Sequence, residues 1–257
     1  MTAEVDVLIR TLRGSHDRLR RRVESLETKD LQRTSFCSQW SVAQVLSHLG
    51  SQAEFFELLL NAGRTGGGPP GQEIMAPIWA RWDALPPAEQ AEQSVAANER
   101  LVARLEGMGA ELDTFHLALW GGEVDAAGLL RMRLAEHAVH SWDVAVTNES
   151  DAVVAADAVE RLIDHLGATA ARGGRPADQP MSIAVTTSAP VRQLQLDTGG
   201  VSLEPFAGGA VAAAVELPAE ALLRLVYGRL DPGHPGPGPV ATRGVELDQL
   251  RAVFPGF

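Results

Sequence analysis

The chain has 257 residues, 45% of them hydrophobic and 21% charged, an ordinary globular composition that excludes a disordered, collagenous or disulfide-scaffold protein. Its formal net charge of -11 argues against a nucleic-acid binder or an anionic-membrane binder. The single cysteine, Cys37, excludes an internal disulfide and any cysteine-rich zinc or iron–sulfur site.

The first 22 residues mix Glu4, Asp6, Arg10, Arg13 and Asp17 with the basic run Arg18, Arg20, Arg21, Arg22, so no signal-peptide apolar stretch is expected. No run approaches the roughly 18 apolar residues of a membrane span. A cytoplasmic location is the resulting expectation. Val5, Leu8, Leu12, Leu19, Val23 and Leu26 recur at three- and four-residue spacing and predict a first amphipathic helix over 3–28. A polar connection, 34–39, leads to Trp40 and to Ser41, a good N-cap. The strongly periodic segment after it predicts a second helix to about Leu60.

The stretch 61–71 reads as a Gly/Pro loop, and a short helix is expected over Ile74–Trp82. Pro86-Pro87 opens a third long helix to about Met108. Gly121-Gly122 breaks the chain before a fourth, over 126–147, and Asp151 can cap a fifth through about Ala171. Period-two alternation then predicts strands at Met181–Thr187 and Val191–Asp197, with shorter ones at Val201–Pro205 and Ala210–Leu217. Pro218 starts a helix through Leu230, and a last short helix covers about Glu246–Val253. No internal repeat is visible. The expected fold class is α plus α+β: an all-α domain, 1–172, whose four long helices suggest an up-down four-helix bundle, then a small α+β domain, 173–257.

The sharpest chemical feature is Glu136-His137-Ala138-Val139-His140-Ser141-Trp142-Asp143 on the fourth helix. Glu136 and His140 are four apart and share a face, with Asp143 three further along the same stripe. A carboxylate and an imidazole at that spacing can share one divalent metal. His137, about 100° round the helix from Glu136, is the rival ligand. A second helix must complete such a site, and His48 sits amid the apolar Val45, Leu46 and Leu49; Glu54 and Glu57 lie on the same helix. Two imidazoles and one carboxylate around an open position is a common catalytic zinc arrangement, and iron, nickel or manganese can use the same donors. Against this, an isolated Glu…His pair is most often a solvated ion pair, and a lone histidine on an apolar helix a satisfied interior residue.

Three stretches resolve that choice by likeness. Ser38-Gln39-Trp40-Ser41-Val42 leading to His48-Leu49 is one, Glu136…His140-Ser141-Trp142-Asp143 the second. The third is Leu222–Arg229 with Gly244 and the run Phe254–Phe257. Together they resemble the mycothiol-dependent maleylpyruvate isomerase family of the DinB-like metal-binding superfamily. The resemblance implies a DinB-like four-helix bundle followed by a sterol-carrier-protein-like α+β domain. It places the metal ligands, usually for zinc, on His48, Glu136 and His140. It makes Arg229 the candidate catalytic and cofactor-binding arginine, with Arg243 in reserve. Mycothiol is the implied co-substrate, which fits the codon bias of an actinomycete-type genome, since Lys29 is the only lysine among 22 basic residues.

The implied activity is a thiol-dependent S-transferase or cis–trans isomerase in which a metal-bound thiolate attacks a small electrophile. Asp143 is expected to orient a metal-bound histidine or to make a plain structural contact. Cys37 is expected to be a buried, unreactive thiol. Trp40, Trp142, Phe55 and Phe56 are expected mainly in the core, and no role is given to His16, His116, His165 or His234. Two other readings remain: a carrier of an apolar ligand with a structural metal, and a thiol-independent metal hydrolase.

Overall fold

A computed structural model describes residues 2–119 and 122–256. The chain divides into two compact units, Met1–Glu149 and Ser150–Phe257. The composition shift that the sequence shows at 172/173 falls where helices give way to strands.

The first unit is helical. α1 (Ala3–Ser25) starts at Thr2, whose hydroxyl accepts from Val5 N, and buries Val5, Leu8, Ile9, Leu12 and Leu19. A single turn, α2 (Thr28–Leu31), follows and carries its own capping box. α3 (Val42–Thr65) begins with the reciprocal Ser41/Gln44 box and runs five residues past the expected end. The stretch 61–65 stays helical in spite of Gly63, which lies against the Phe115 ring, and Gly66, left-handed at φ 70°, is where the helix stops. α4 (Gln72–Asp83) lies against α3. A Cβ on Gly50 would stand 2.2 Å from the Trp82 ring, so glycine is what lets that indole approach the α3 backbone so closely.

α5 (Pro87–Met108) has its proline at N1. A hairpin absent from the sequence reading follows, β1 (His116–Leu119) against β2 (Gly122–Asp125). Each strand is only four residues long, the shortest run on which a period-two signal can show, and only β1 alternates in burial. The break expected at Gly121-Gly122 falls partly on Gly121, outside the described residues; Gly122 opens β2. α6 (Ala126–Ala145) is capped by Asp125, whose Oδ1 accepts from Gly128 N at 2.7 Å. α1 and α3 each pack on both α5 and α6.

The second unit is α+β. The single helix expected over 151–171 is two: α7 (Ala156–Leu162) and α8 (Leu166–Gly173), joined by a 3-10 turn. Asp151 caps neither. The chain before α7 is extended because buried Val154 donates its N–H to Glu220 Oε1 at 3.0 Å. A five-stranded sheet follows in the order β5-β4-β3-β6-β7. Its strands are β3 (Ser182–Ser188), β4 (Arg192–Asp197), β5 (Ser202–Pro205), β6 (Ala213–Pro218) and β7 (Ala241–Arg243). β3 and β6 pair in parallel and the other neighbours antiparallel. Ile183, Val185, Leu194, Leu196, Val215 and Leu217 fill one face. β7, fully exposed and three residues long, was not foreseen. α9 (Ala219–Val226) ends four residues earlier than expected. Gly228 sits at φ 69°, and the N–H of Arg229 turns back to Arg224 O at 2.6 Å. α10 (Leu247–Val253) closes the chain. Among the described residues no helix is long and apolar enough to cross a membrane.

Candidate metal centre

Two helices and one short connection build the site. On α3, Val45, Leu46 and Leu49 are fully buried, which anchors the helix and leaves His48 half-buried at its edge. On α6, Leu134 and Ala138 are buried, and Glu136 and His140 stand one turn apart. The connection before α3 is tied tightly. Ser35 donates to Trp40 O through both its N–H at 2.9 Å and its hydroxyl at 2.8 Å, and Trp40 N–H donates to Cys37 O at 2.7 Å. Phe36 N–H reaches Asp143 O at 3.4 Å, which pins the loop to α6.

His48, Glu136 and His140 come together with one ligand atom each, all within 4.8 Å of one another. His48 Nε2 lies 3.3 Å from Glu136 Oε2, and His140 Nε2 lies 3.7 Å from the same oxygen. The two imidazoles meet edge to face, centroids 4.7 Å apart. Donors around a tetrahedral zinc with bonds of about 2.0–2.1 Å stand about 3.3 Å apart, so these separations need little adjustment to hold such an ion. His140 turns its other nitrogen to Asp143, Nδ1 to Oδ2 at 2.8 Å, and Asp143 is fully buried. The same Oδ2 accepts from Cys37 Sγ at 3.3 Å.

Electrostatics prepares the donors. Burial pushes the His48 imidazolium below the usual histidine range, against the pull of Glu136, so at neutral pH the ring is neutral with a lone pair to give. Burial opposes ionisation of Glu136. The hydrogen bond from His48, and the positive charges that His140, His48 and Arg133 carry at the low pH where this carboxyl titrates, outweigh it and hold the carboxyl down at about 2. One anionic oxygen and two imidazole nitrogens suit zinc and similar borderline ions.

Other acidic and imidazole groups lie elsewhere. Glu54 pairs with Arg81 and Trp82 Nε1, and Glu57 pairs with Arg104. His137, the rival ligand, faces away from the cluster, fully buried, with Nδ1 2.9 Å from Ser15 Oγ. His16 is not the solvated residue its polar neighbours suggest; it is fully buried and meets Glu99 at 3.0 Å. Cys37 is half-buried rather than buried, packed at the edge of the core with its Sγ donating to Asp143. Trp142 and Phe56 are core residues, whereas Trp40 is 37% exposed and lies 5.2 Å from the His48 ring and 6.5 Å from His140. It forms an aromatic wall beside both imidazoles. No periodicity flags this, because Trp40 precedes the helix.

Arg229 belongs to the second unit, where it is buried and its Nη1 donates to Tyr227 O at 2.6 Å. Arg243 is exposed on β7. Residue Arg133, on α6, was missed altogether: it is buried beside the cluster, donating to Leu49 O at 3.2 Å and to Asn98 Oδ1.

No curated protein matches the chain in sequence. Two solved structures do match in fold. The crystal structure of the mycothiol-dependent maleylpyruvate isomerase aligns with a TM-score of 0.68 at 16% identity, over 96% of this chain and 98% of that one. That of a histidine-to-alanine mutant aligns with a TM-score of 0.67, at the same identity and coverage. Both are thiol-dependent isomerases by name. The family model described as the mycothiol maleylpyruvate isomerase N-terminal domain matches residues 12–145, more than half of the chain and the whole of the stretch that holds the cluster. The chain belongs to the mycothiol maleylpyruvate isomerase family.

Proposed function

We propose that this protein is a metal-dependent, mycothiol-using isomerase or S-transferase acting on a small electrophilic substrate. The observation that carries the reading is the convergence of one ionised carboxylate and two imidazoles, His48, Glu136 and His140, from two helices. Zinc suits this donor set best. A metal bound there would supply a Lewis acid that keeps a thiol ionised at neutral pH, for reversible addition to an activated double bond.

The chain's own residues do the rest. Asp143 accepts from His140 Nδ1 and so presents Nε2 to the metal. Trp40 supplies a flat apolar wall on which a substrate chain or thiol can lie. We assign to Arg229 the recognition of a substrate carboxylate, which a guanidinium holds bidentately. In this reading 1–172 is the DinB-like four-helix bundle with the metal site, and 173–257 the sterol-carrier-like domain.

The test is to follow cis–trans isomerisation of maleylpyruvate by absorbance in the zinc-loaded protein, with and without mycothiol, alongside a panel of electrophiles scored for thiol adducts. Turnover or adduct formation that requires the thiol is expected. Turnover of a substrate without any thiol contradicts the reading and favours a hydrolase. A co-purifying apolar ligand, with no thiol-dependent reaction, contradicts it and favours a carrier.

A further inference from the structure

Arg133 is an anomaly of the helical unit. Its side chain is 1% exposed, one turn before Glu136 on α6. The guanidinium crosses to α3 and α5: Nη2 donates to the carbonyl of Leu49, the residue after His48, and to Asn98 Oδ1. Its carbon lies 5.5 Å from the centre of the Phe56 ring. Nε and Nη1 meet no acceptor among the described residues, and no carboxylate there forms an ion pair with the group. A buried guanidinium whose attraction to Glu136 acts only beyond ion-pair contact is costly, and an apolar residue of similar volume would serve the fold better.

The charge count around the cluster gives this cation a use. A divalent ion would be matched by the carboxylates of Glu136 and Asp143, the second reached through His140. Arg133 then leaves the neighbourhood one positive charge in excess, in an interior where charges interact strongly. One anion at the open coordination position restores the balance, whereas a neutral donor does not.

We propose that Arg133 is a positioning residue of the centre, whose unneutralised buried charge biases the open position toward anionic ligands of the thiolate class over neutral ones. The inference rests on the metal reading above and adds to it a source of selectivity outside the ligand set.

The experiment uses the full chain loaded with cobalt(II), whose visible spectrum reports coordination. Azide and thiocyanate serve as anionic probes, imidazole as the neutral one. Arg133→Gln keeps a donor for Leu49 O and Asn98 but removes the charge; Arg133→Lys keeps the charge; Arg133→Met, apolar and of comparable length, replaces the glutamine variant if that one does not fold. The expected result is an anion affinity about ten-fold lower in Arg133→Gln, from the loss of one nearby charge. Imidazole affinity stays unchanged, and Arg133→Lys recovers most of the anion binding. Equal losses for anions and imidazole, or no change for either, overturn the inference while cobalt binding preserves the metal reading. Absence of cobalt binding in the unsubstituted protein overturns both.

Discussion

His140 Nδ1 and Asp143 Oδ2 stand 2.8 Å apart, and this bond decides which nitrogen of the imidazole faces Glu136. With the N–H spent on Asp143, the lone pair of His140 resides on Nε2, 3.7 Å from Glu136 Oε2. Asp143 is itself held in place: it is fully buried, and Cys37 Sγ donates to the same oxygen. The ligand atoms are therefore set by a chain of contacts that starts in the loop before α3.

Removing the carboxylate charge should loosen this arrangement without unfolding it. Asp143→Asn is expected to weaken metal affinity by about 10–100-fold, the usual cost of losing such a partner. Competition against a chelator of known affinity measures it. An affinity equal to that of the parent protein would show that Asp143 makes only a structural contact.

The neighbouring thiol leads to the opposite expectation. Serine at position 37 can still donate to Asp143, so Cys37→Ser should keep full metal occupancy and most activity, within about two-fold. Turnover abolished with folding intact would show that the thiol reacts.

Stability should depend on pH through His16. Burial lowers its pKa, with Glu99 opposing and Arg13 assisting. Asp17 on α1 also raises it, and His137 on α6 is the other imidazole facing it. The unfolded chain takes up a proton near pH 6.5 that the folded chain refuses until lower pH. The stabilising contribution of neutral His16 is thus whole above pH 6.5 and fades as pH falls through that value toward the folded pKa. Urea unfolding from pH 7.5 to 5.5 should lose stability in the parent and less in His16→Gln. Identical slopes in the two proteins would contradict this assignment.

A packing test concerns Gly50. Alanine in a helix normally gains about 0.5–1 kcal/mol over glycine. Here the added Cβ would meet Trp82 ring atoms at 2.2–2.8 Å, so Gly50→Ala should cost about 1–3 kcal/mol by overpacking. Thermal or urea unfolding reads it directly, and a more stable variant would mean that α4 shifts freely on α3.

The long helices were legible because each carries a 3.6-residue apolar stripe bounded by a cap: Ser41 before α3, Pro87 at the start of α5. His48, Glu136 and His140 were singled out because four-residue spacing on one helix and a histidine in an apolar stretch of another are local signals. What the sequence hides depends on distant partners. The start of α7 follows from Glu220, 66 residues beyond Val154. The link from Cys37 to Asp143 spans 106 positions. Arg133 lies one turn after the buried Leu129 and Leu130 on α6, yet an arginine by itself signals a solvated position, and only the packing of α3 and α5 against it reveals its burial. His16 misleads in the same way, since its sequence neighbours Asp17 and Arg18 are polar but its own ring turns inward.

The most direct test is metal content together with thiol binding. The protein, purified without chelator, is assayed by mass spectrometry for bound metal and titrated calorimetrically with mycothiol, beside His48→Ala as control. One divalent ion per chain, with thiol binding that disappears along with the metal in His48→Ala, is the predicted result. A His48→Ala variant that keeps full metal occupancy, or a metal-loaded parent protein that binds no thiol, would contradict the account.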